Sequence, residues 1–343
     1  MKKSIFIVSV ILLSGALASC DTFLTRTDEK RSATGKPYEV FVIMENKDWA
    51  GAPGDTLRSI FWEEFPMVNQ YEPIYSVYQS DPVNFNKLLQ SFRNILIYKT
   101  GAQYTEPSMQ AEYDRWAEPQ MLVHVTGPSD SVLLEYMDLH RYALQSIFDI
   151  AEQDRFISRA NRYVDPKIQE KIEESLGIKI NIPKGYNIRS EHPDFIWVSY
   201  ELPLISQGIV IYKYPLSSRR TFTPEYIKEK RNEFVSLIPG PSEGSYMKTS
   251  EVMLPEVSQI NLNGRIWFMS QGFWDVANDF MGGPFTSYST VNATTREVIT
   301  IDTYVFSPKY DKRNYVRQLQ SIAKTATIPN DTVKSVNFGE LPE

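Results

Sequence analysis

At Ile178 the apolar rhythm of the chain changes, and the change demands two different kinds of layer. Ahead of it, short apolar runs alternate with stretches of helical spacing. Residues 38–44 are almost continuously apolar, Leu57, Ile60, Phe61 and Phe65 recur at helical intervals after Pro53, and residues 73–78, 94–98 and 121–125 are again strand-like. A continuous apolar run marks a strand covered on both faces, and a strand, helix, strand succession marks an α/β layer. Asp81-Pro82 opens a predicted helix over 83–92. After the break at Gly127-Pro128-Ser129, a long helix is predicted over 130–162, with its stripe at Leu133, Met137, His140, Leu144, Ile147 and Ala151. Asp165-Pro166 and Gly177 bracket a further helix that has Ile168, Ile172 and Leu176 on one face.

From Ile178 onward the pattern is that of strands, predicted over 178–186, 195–202, 208–214, 247–254, 265–271, 285–292 and 298–306. Two helices interrupt them, one started by Thr223-Pro224-Glu225 and one over 313–325, where Val316, Leu319, Ile322 and Ala323 share a side. The fold class is therefore α+β. An N-terminal α/β domain with a long helix is expected over 37–163, followed over 164–328 by an antiparallel sheet packed with helices, and then by a loose tail over 329–343.

The front of the chain has a separate meaning. Lys2 and Lys3, an apolar run over 5–18 and small residues before a break are the parts of a secretory signal, and the run is shorter than the roughly 20 residues that cross a bilayer as a helix. Leu17-Ala18-Ser19-Cys20 resembles the lipobox of bacterial lipoproteins. That resemblance implies cleavage of residues 1–19, lipidation of Cys20, and a membrane partner through the anchor. The expected location is the cell envelope, at the outer membrane, with the leaflet left open. Residues 20–36 are mostly polar and read as a tether. Cys20 is the single cysteine, so neither a disulfide nor a thiolate metal site can hold the fold together. The formal charge of −6 becomes more negative once Lys2 and Lys3 are removed, which disfavours nucleic acid as a partner.

Taken whole, the chain resembles an uncharacterised lipoprotein family of Bacteroidetes, a domain of unknown function. The carrying residues are the lipobox, Gly54-Asp55-Thr56-Leu57-Arg58, Phe92-Arg93-Asn94-Ile95-Leu96-Ile97, and Trp274 through Gly282-Gly283-Pro284-Phe285. The second half is also similar to the PsbP-like α+β fold, through Ile182-Pro183-Lys184-Gly185-Tyr186, a mid-chain helix, a Pro-Phe strand near Gly283 and a closing helix. That likeness implies a binding or assembly module.

No catalytic set coheres. Gly240-Pro241-Ser242-Glu243-Gly244 matches the Gly-x-Ser-x-Gly elbow, but a helix precedes it, Pro241 sits inside it, and none of the three His (His124, His140, His192) lies downstream. A hydrolase using Ser242 is the alternative to a non-catalytic protein. Ser-x-x-Lys occurs twice, at Ser245 and Ser321, but its companion Lys99-Thr100-Gly101 precedes both and Ser-Asp-Asn is missing, and there is no glycine-rich phosphate loop. No cofactor and no metal are expected, although Asp275, Asn278 and Asp279 near Gly282-Gly283 could form either a calcium loop or a capped turn.

Aromatic residues make up 13% of the chain, and Trp267, Phe268, Phe273, Trp274, Phe280, Phe285 and Tyr288 crowd one stretch. Aromatics alternating along a strand ordinarily form core. Rings beside Asp275 and Asp279 can also stack on a glycan or grip an envelope protein, which makes Trp267, Trp274, Asp275 and Asp279 the candidate binding residues. Exposure of the two Trp rings separates these readings.

Overall fold

Residues 30–329, Asp331 and Pro342 are described in this computed structural model; residues 1–29, and with them the signal and Cys20, lie outside the described part, as does most of the tail. The first half runs β1 (Arg31–Ser32), β2 (Glu39–Ile43), α1 (Asn46–Trp49), α2 (Ala52–Phe61), β3 (Ser76–Ser80), β4 (Asn94–Thr100), β5 (Ser108–Tyr113), β6 (Ala117–Glu118) and β7 (Met121–Gly127). Strands β3, β2, β4 and β7 lie side by side and parallel, and β5 is an antiparallel edge. Every residue of β2 is buried, as its unbroken apolar run requires. One sheet face packs Val40, Val42 and Leu96 against Leu57, Ile60 and Phe61 of α2. The other packs Phe41, Ile43 and Ile95 under Phe85, Phe92 and Trp116.

The helix expected over 83–92 is replaced by two 3-10 turns, Pro82–Asn84 and Leu89–Ser91. The cap is in place, since the Asp81 carboxylate accepts the Val83 N–H at 3.2 Å. Phe85, Leu89 and Phe92 still pack on the sheet, but the Asn86 side-chain carbonyl accepts the Leu88 and Leu89 N–H groups at 2.9 and 3.3 Å, which ends the first turn and starts a second. The single helix expected over 130–162 is two, α3 (Asp130–Leu139) and α4 (Arg141–Arg162), separated at His140. The break lets Leu133 and Met137 of one helix and Leu144, Phe148 and Ala151 of the other reach the same core. Helix α5 (Pro166–Leu176) has the predicted ends: Asp165 accepts the Lys167 and Ile168 N–H groups, and Gly177 is left-handed at φ 69°.

The second half continues with β8 (Asn187–His192), β9 (Phe195–Leu202), β10 (Ile205–Pro215), α6 (Pro224–Val235), β11 (Tyr246–Thr249), β12 (Glu256–Leu262), β13 (Arg265–Ala277), β14 (Gly282–Asn292), β15 (Glu297–Phe306) and α7 (Arg313–Ala323). These strands form one eight-stranded antiparallel sheet in the order β11-β13-β14-β15-β10-β9-β8, with β12 pairing farther along β13. The stretch 178–186, expected as a strand, joins no sheet; it makes isolated bridges such as Lys179 to Thr327. Its alternation still reports burial, because Ile178, Ile180 and Ile182 are all inaccessible to solvent.

Helix α6 covers one face of this sheet, over Val210, Tyr212 and Val298. Helix α7 covers the other and also packs on α4, so a single apolar core runs from Tyr38 to Ile328 through both halves. The buried Glu72 carboxylate, from the first half, accepts the Lys312 and Arg313 N–H groups at 2.8 and 2.7 Å and caps α7. Both expected loose ends are partly fixed. Arg31–Ser32 of the presumed tether pair with β6, and Asp331 of the tail is buried against Arg265, Ala293 and Thr294. A chain of hydrogen bonds to a fixed sheet outweighs the polar composition that suggested looseness.

Candidate functional site

Where β13 turns into β14, the end of the large sheet carries two adjoining grooves. The larger, about 850 Å³, extends toward the first half past Lys248, Asp275, Gln70 and Lys312. The smaller, about 340 Å³, is bounded by Leu204, Pro239 and Met247. Trp274, Val276, Met281 and Phe306 border both.

Glycines make this wall possible. A Cβ on Gly283 would stand 2.2 Å from the Val305 carbonyl oxygen, and one on Gly208 would stand 2.0 Å from the Tyr304 ring. Trp274 therefore settles against bare backbone, with its indole N–H on the Val305 carbonyl at 3.3 Å and its ring edge-on to Tyr304. The Trp197 indole N–H in turn donates to the Tyr304 hydroxyl at 3.0 Å.

The β13–β14 turn forms the lip. Asn278 has φ 64°, and the Val276 N–H closes the turn on the Met281 carbonyl at 2.9 Å. The Asp279 carboxylate accepts the Ser242 hydroxyl at 2.5 Å and the Phe280 N–H at 2.6 Å. These two hydrogen bonds, the Ser242 one foremost, hold the Asp279 carboxyl below its ordinary value. Phe280 stands fully exposed at the tip.

The candidate residues thus separate. Trp267 and Trp274 are both about 1% exposed and belong to different cores, one on each side of the sheet. Neither offers a ring face for stacking, so the glycan-platform reading of these two residues is corrected: the strand period showed which way they point, but not that both faces are covered. Asp275 lies opposite Lys248 across the β11–β13 pair, and Asp279 is the turn lock. Among the described residues, no three His, Cys, Asp or Glu come together as a metal cage.

Ser242 sits in a loop rather than a strand-to-helix elbow. Its N–H donates to Ser245 Oγ at 3.0 Å, while its hydroxyl is committed to a carboxylate that is a weakened base. No His lines either groove. His124 is on β7, His140 separates two helices, and His192 ends β8.

Sequence reasoning missed Gln70, Lys248, Lys312, Met281 and Phe306, which come from distant parts of the chain. The one signal that pointed here was the Gly282-Gly283-Pro284 run after Trp274. The Lys312 ammonium donates to Gln70 Oε1 at 3.3 Å, and Lys248 makes no ion pair among the described residues. Two cations, an aromatic floor and a projecting Phe suit capture of an apolar segment oriented by polar contacts at its edge.

The fold and this site define an α+β protein: a mostly parallel sheet and a curled antiparallel sheet share one core, with a groove at the end of the second. Within that class, residues 33–161 match the family DUF8532 and residues 165–325 the family DUF4837, each described as a domain of unknown function. No curated protein matches the chain. Among solved structures it is similar to a crystal structure from Bacteroides thetaiotaomicron VPI-5482 at 1.50 Å resolution, with TM-score 0.26 and 11% identity over 48% of this chain and 53% of that one. It is also similar to human STARD10, with TM-score 0.23 and 10% identity over 47% of this chain and 80% of that one. The chain thus spans about half the length of the first of these.

Proposed function

We propose that this protein is a lipid-anchored component of the cell envelope, held at the outer membrane by Cys20, which binds a partner protein in the groove at the end of its large sheet and performs no catalysis there. The lipobox and the likeness to a lipoprotein family of Bacteroidetes support the anchor. The observation that carries the binding role is Phe280: a large apolar side chain held fully in solvent by a locked turn, at the lip of an aromatic-floored groove of about 850 Å³. The weak base beside Ser242 supports binding over hydrolysis.

Two measurements test this. With benzoylphenylalanine at position 280, irradiation of intact cells is expected to yield one dominant protein adduct, which is lost when Met281→Arg places a charge in the groove wall. An adduct ladder without a dominant species, or one indifferent to Met281→Arg, refutes the site. Cys20→Ser is expected to release the protein from membranes in high salt; retention refutes the anchor.

A further inference from the structure

A third groove lies in the first half, between α4 and the segment joining β5 to β7, with a volume of about 560 Å³. That lies within the range of about 300–1,000 Å³ typical of small-ligand sites. From its residues we infer a saccharide-binding site that the partner groove neither explains nor requires.

Its rim carries side chains that make no hydrogen bond or ion pair among the described residues. Tyr113 and Tyr163 are 58% and 52% exposed, and among the described residues neither ring meets another ring nor does either hydroxyl find a hydrogen-bond partner. Arg159 and Arg162, one turn apart on α4, make no ion pair among the described residues, even though Glu118 and Asp154 border the same groove. Those two carboxylates are likewise without an ion pair among the described residues.

Beneath the rim, by contrast, the carboxylate and carboxamide groups are engaged, and of the Arg93 guanidinium the buried Nε alone is left without a partner among the described residues. The fully buried Glu152 carboxylate accepts Arg93 Nη2 and Arg155 Nη1, each at 2.8 Å, and Asn94 Nδ2 at 2.6 Å. On the other wall, buried Gln120 donates to the Gln90 and Phe92 carbonyls at 2.7 and 2.6 Å and accepts the Trp116 N–H at 3.0 Å. The Asp114 carboxylate accepts the Gln120 N–H at 2.7 Å. A hydrogen-bonded lower layer holding an unengaged upper one is the arrangement of a pre-organised binding site.

The chemistry of the rim selects the ligand. A simple anion is disfavoured, because carboxylates stand beside the guanidiniums and would repel it. An apolar ligand would leave four charges unsatisfied. A sugar ring presents hydroxyls that both donate and accept, which the Arg and carboxylate groups answer together, and it has an apolar C–H face that an exposed Tyr ring can cover.

The test applies the full chain with Cys20→Ser to an array of neutral and uronate-bearing oligosaccharides, beside Tyr163→Ala and Arg159→Gln/Arg162→Gln versions. The expected result is retention of a defined oligosaccharide class, weakened about tenfold or more in both versions. Because these side chains are exposed and unpaired, both versions should melt like the parent. Retention of nothing overturns the site, as does retention that either version leaves unchanged. Displacement of the bound sugar by inorganic phosphate alone also overturns it, in favour of a plain anion site. None of these outcomes depends on Phe280 or on the partner groove.

Discussion

Replacing Asp302 by Asn is expected to destabilise the protein more than any surface change. Asp302 and Arg231 are both fully buried, joined by Nε to Oδ2 at 2.7 Å and Nη2 to Oδ1 at 3.2 Å. Arg231 Nη1 also donates to Thr249 Oγ1 at 3.0 Å, and its guanidinium lies 3.8 Å from the centre of the Phe285 ring. The pair therefore pins α6, and through Thr249 also β11, whose Met247 and Lys248 border the partner groove, to β15. Neutralising Asp302 leaves a cation in the core without its counter-charge, which costs about 3–5 kcal/mol. With an unfolding entropy of about 2.1 cal/mol/K per residue over roughly 300 residues, this lowers the melting temperature by about 5–8 °C. Circular dichroism melts of Asp302→Asn, Arg231→Met and the apolar double replacement Arg231→Met/Asp302→Leu form the assay. The double is expected to recover most of the loss, since burying the pair costs desolvation that apolar side chains do not incur. A shift under about 2 °C for Asp302→Asn, or a double variant no better than the single, refutes the reasoning.

Gly283→Ala should destabilise by about 1–3 kcal/mol in urea unfolding, because its Cβ would meet the Val305 carbonyl in a packed sheet. Trp274→Ala should cost about 3–5 kcal/mol as a core truncation, whereas Phe280→Ser, fully exposed, should stay within about 0.5 kcal/mol. For Asp331, burial pushes the carboxyl up, but the Ala293 N–H, Arg265 and Thr294 outweigh it and hold it below its ordinary value. Its stabilisation is thus present above the ordinary carboxylate pKa and is lost as pH falls through the lower folded value. Asp331→Asn should accordingly be about 1.5–3 kcal/mol less stable than the parent at pH 7, and the gap should begin to narrow as pH falls below about 4. A gap that does not narrow at all between pH 7 and pH 3 would mean that the side chain acts by packing rather than charge.

Local grammar alone determined much of this fold. The fully apolar β2, the Asp165 and Gly177 ends of α5, the Thr223 start of α6 and the stripe of α7 follow from residues within one or two turns of each other. The change of rhythm at Ile178 separated the parallel sheet from the antiparallel one for the same reason: strand period and helix period are set by backbone geometry, not by partners. The lipobox reading is likewise a matter of contiguous residues.

Only the tertiary structure decided what lay on each face. Residues 83–92 had a cap and an apolar face that packs on the sheet, yet they fold as two short turns rather than one helix, and 178–186 had the right alternation but no strand to pair with. Trp267 and Trp274 looked like a binding platform because alternation fixes direction without saying whether that side is covered; α7 and its core cover the face of one, and the α6 core that of the other. The two grooves depend on long-range closure in the same way. Gln70, Lys248, Phe280 and Lys312 meet only because Glu72 caps α7 across the halves, and Tyr113 faces Tyr163 only because Glu152 draws α4 onto the start of β4. Local propensity acts through chain neighbours, whereas a binding site is made of residues that the chain brings together after the core has closed.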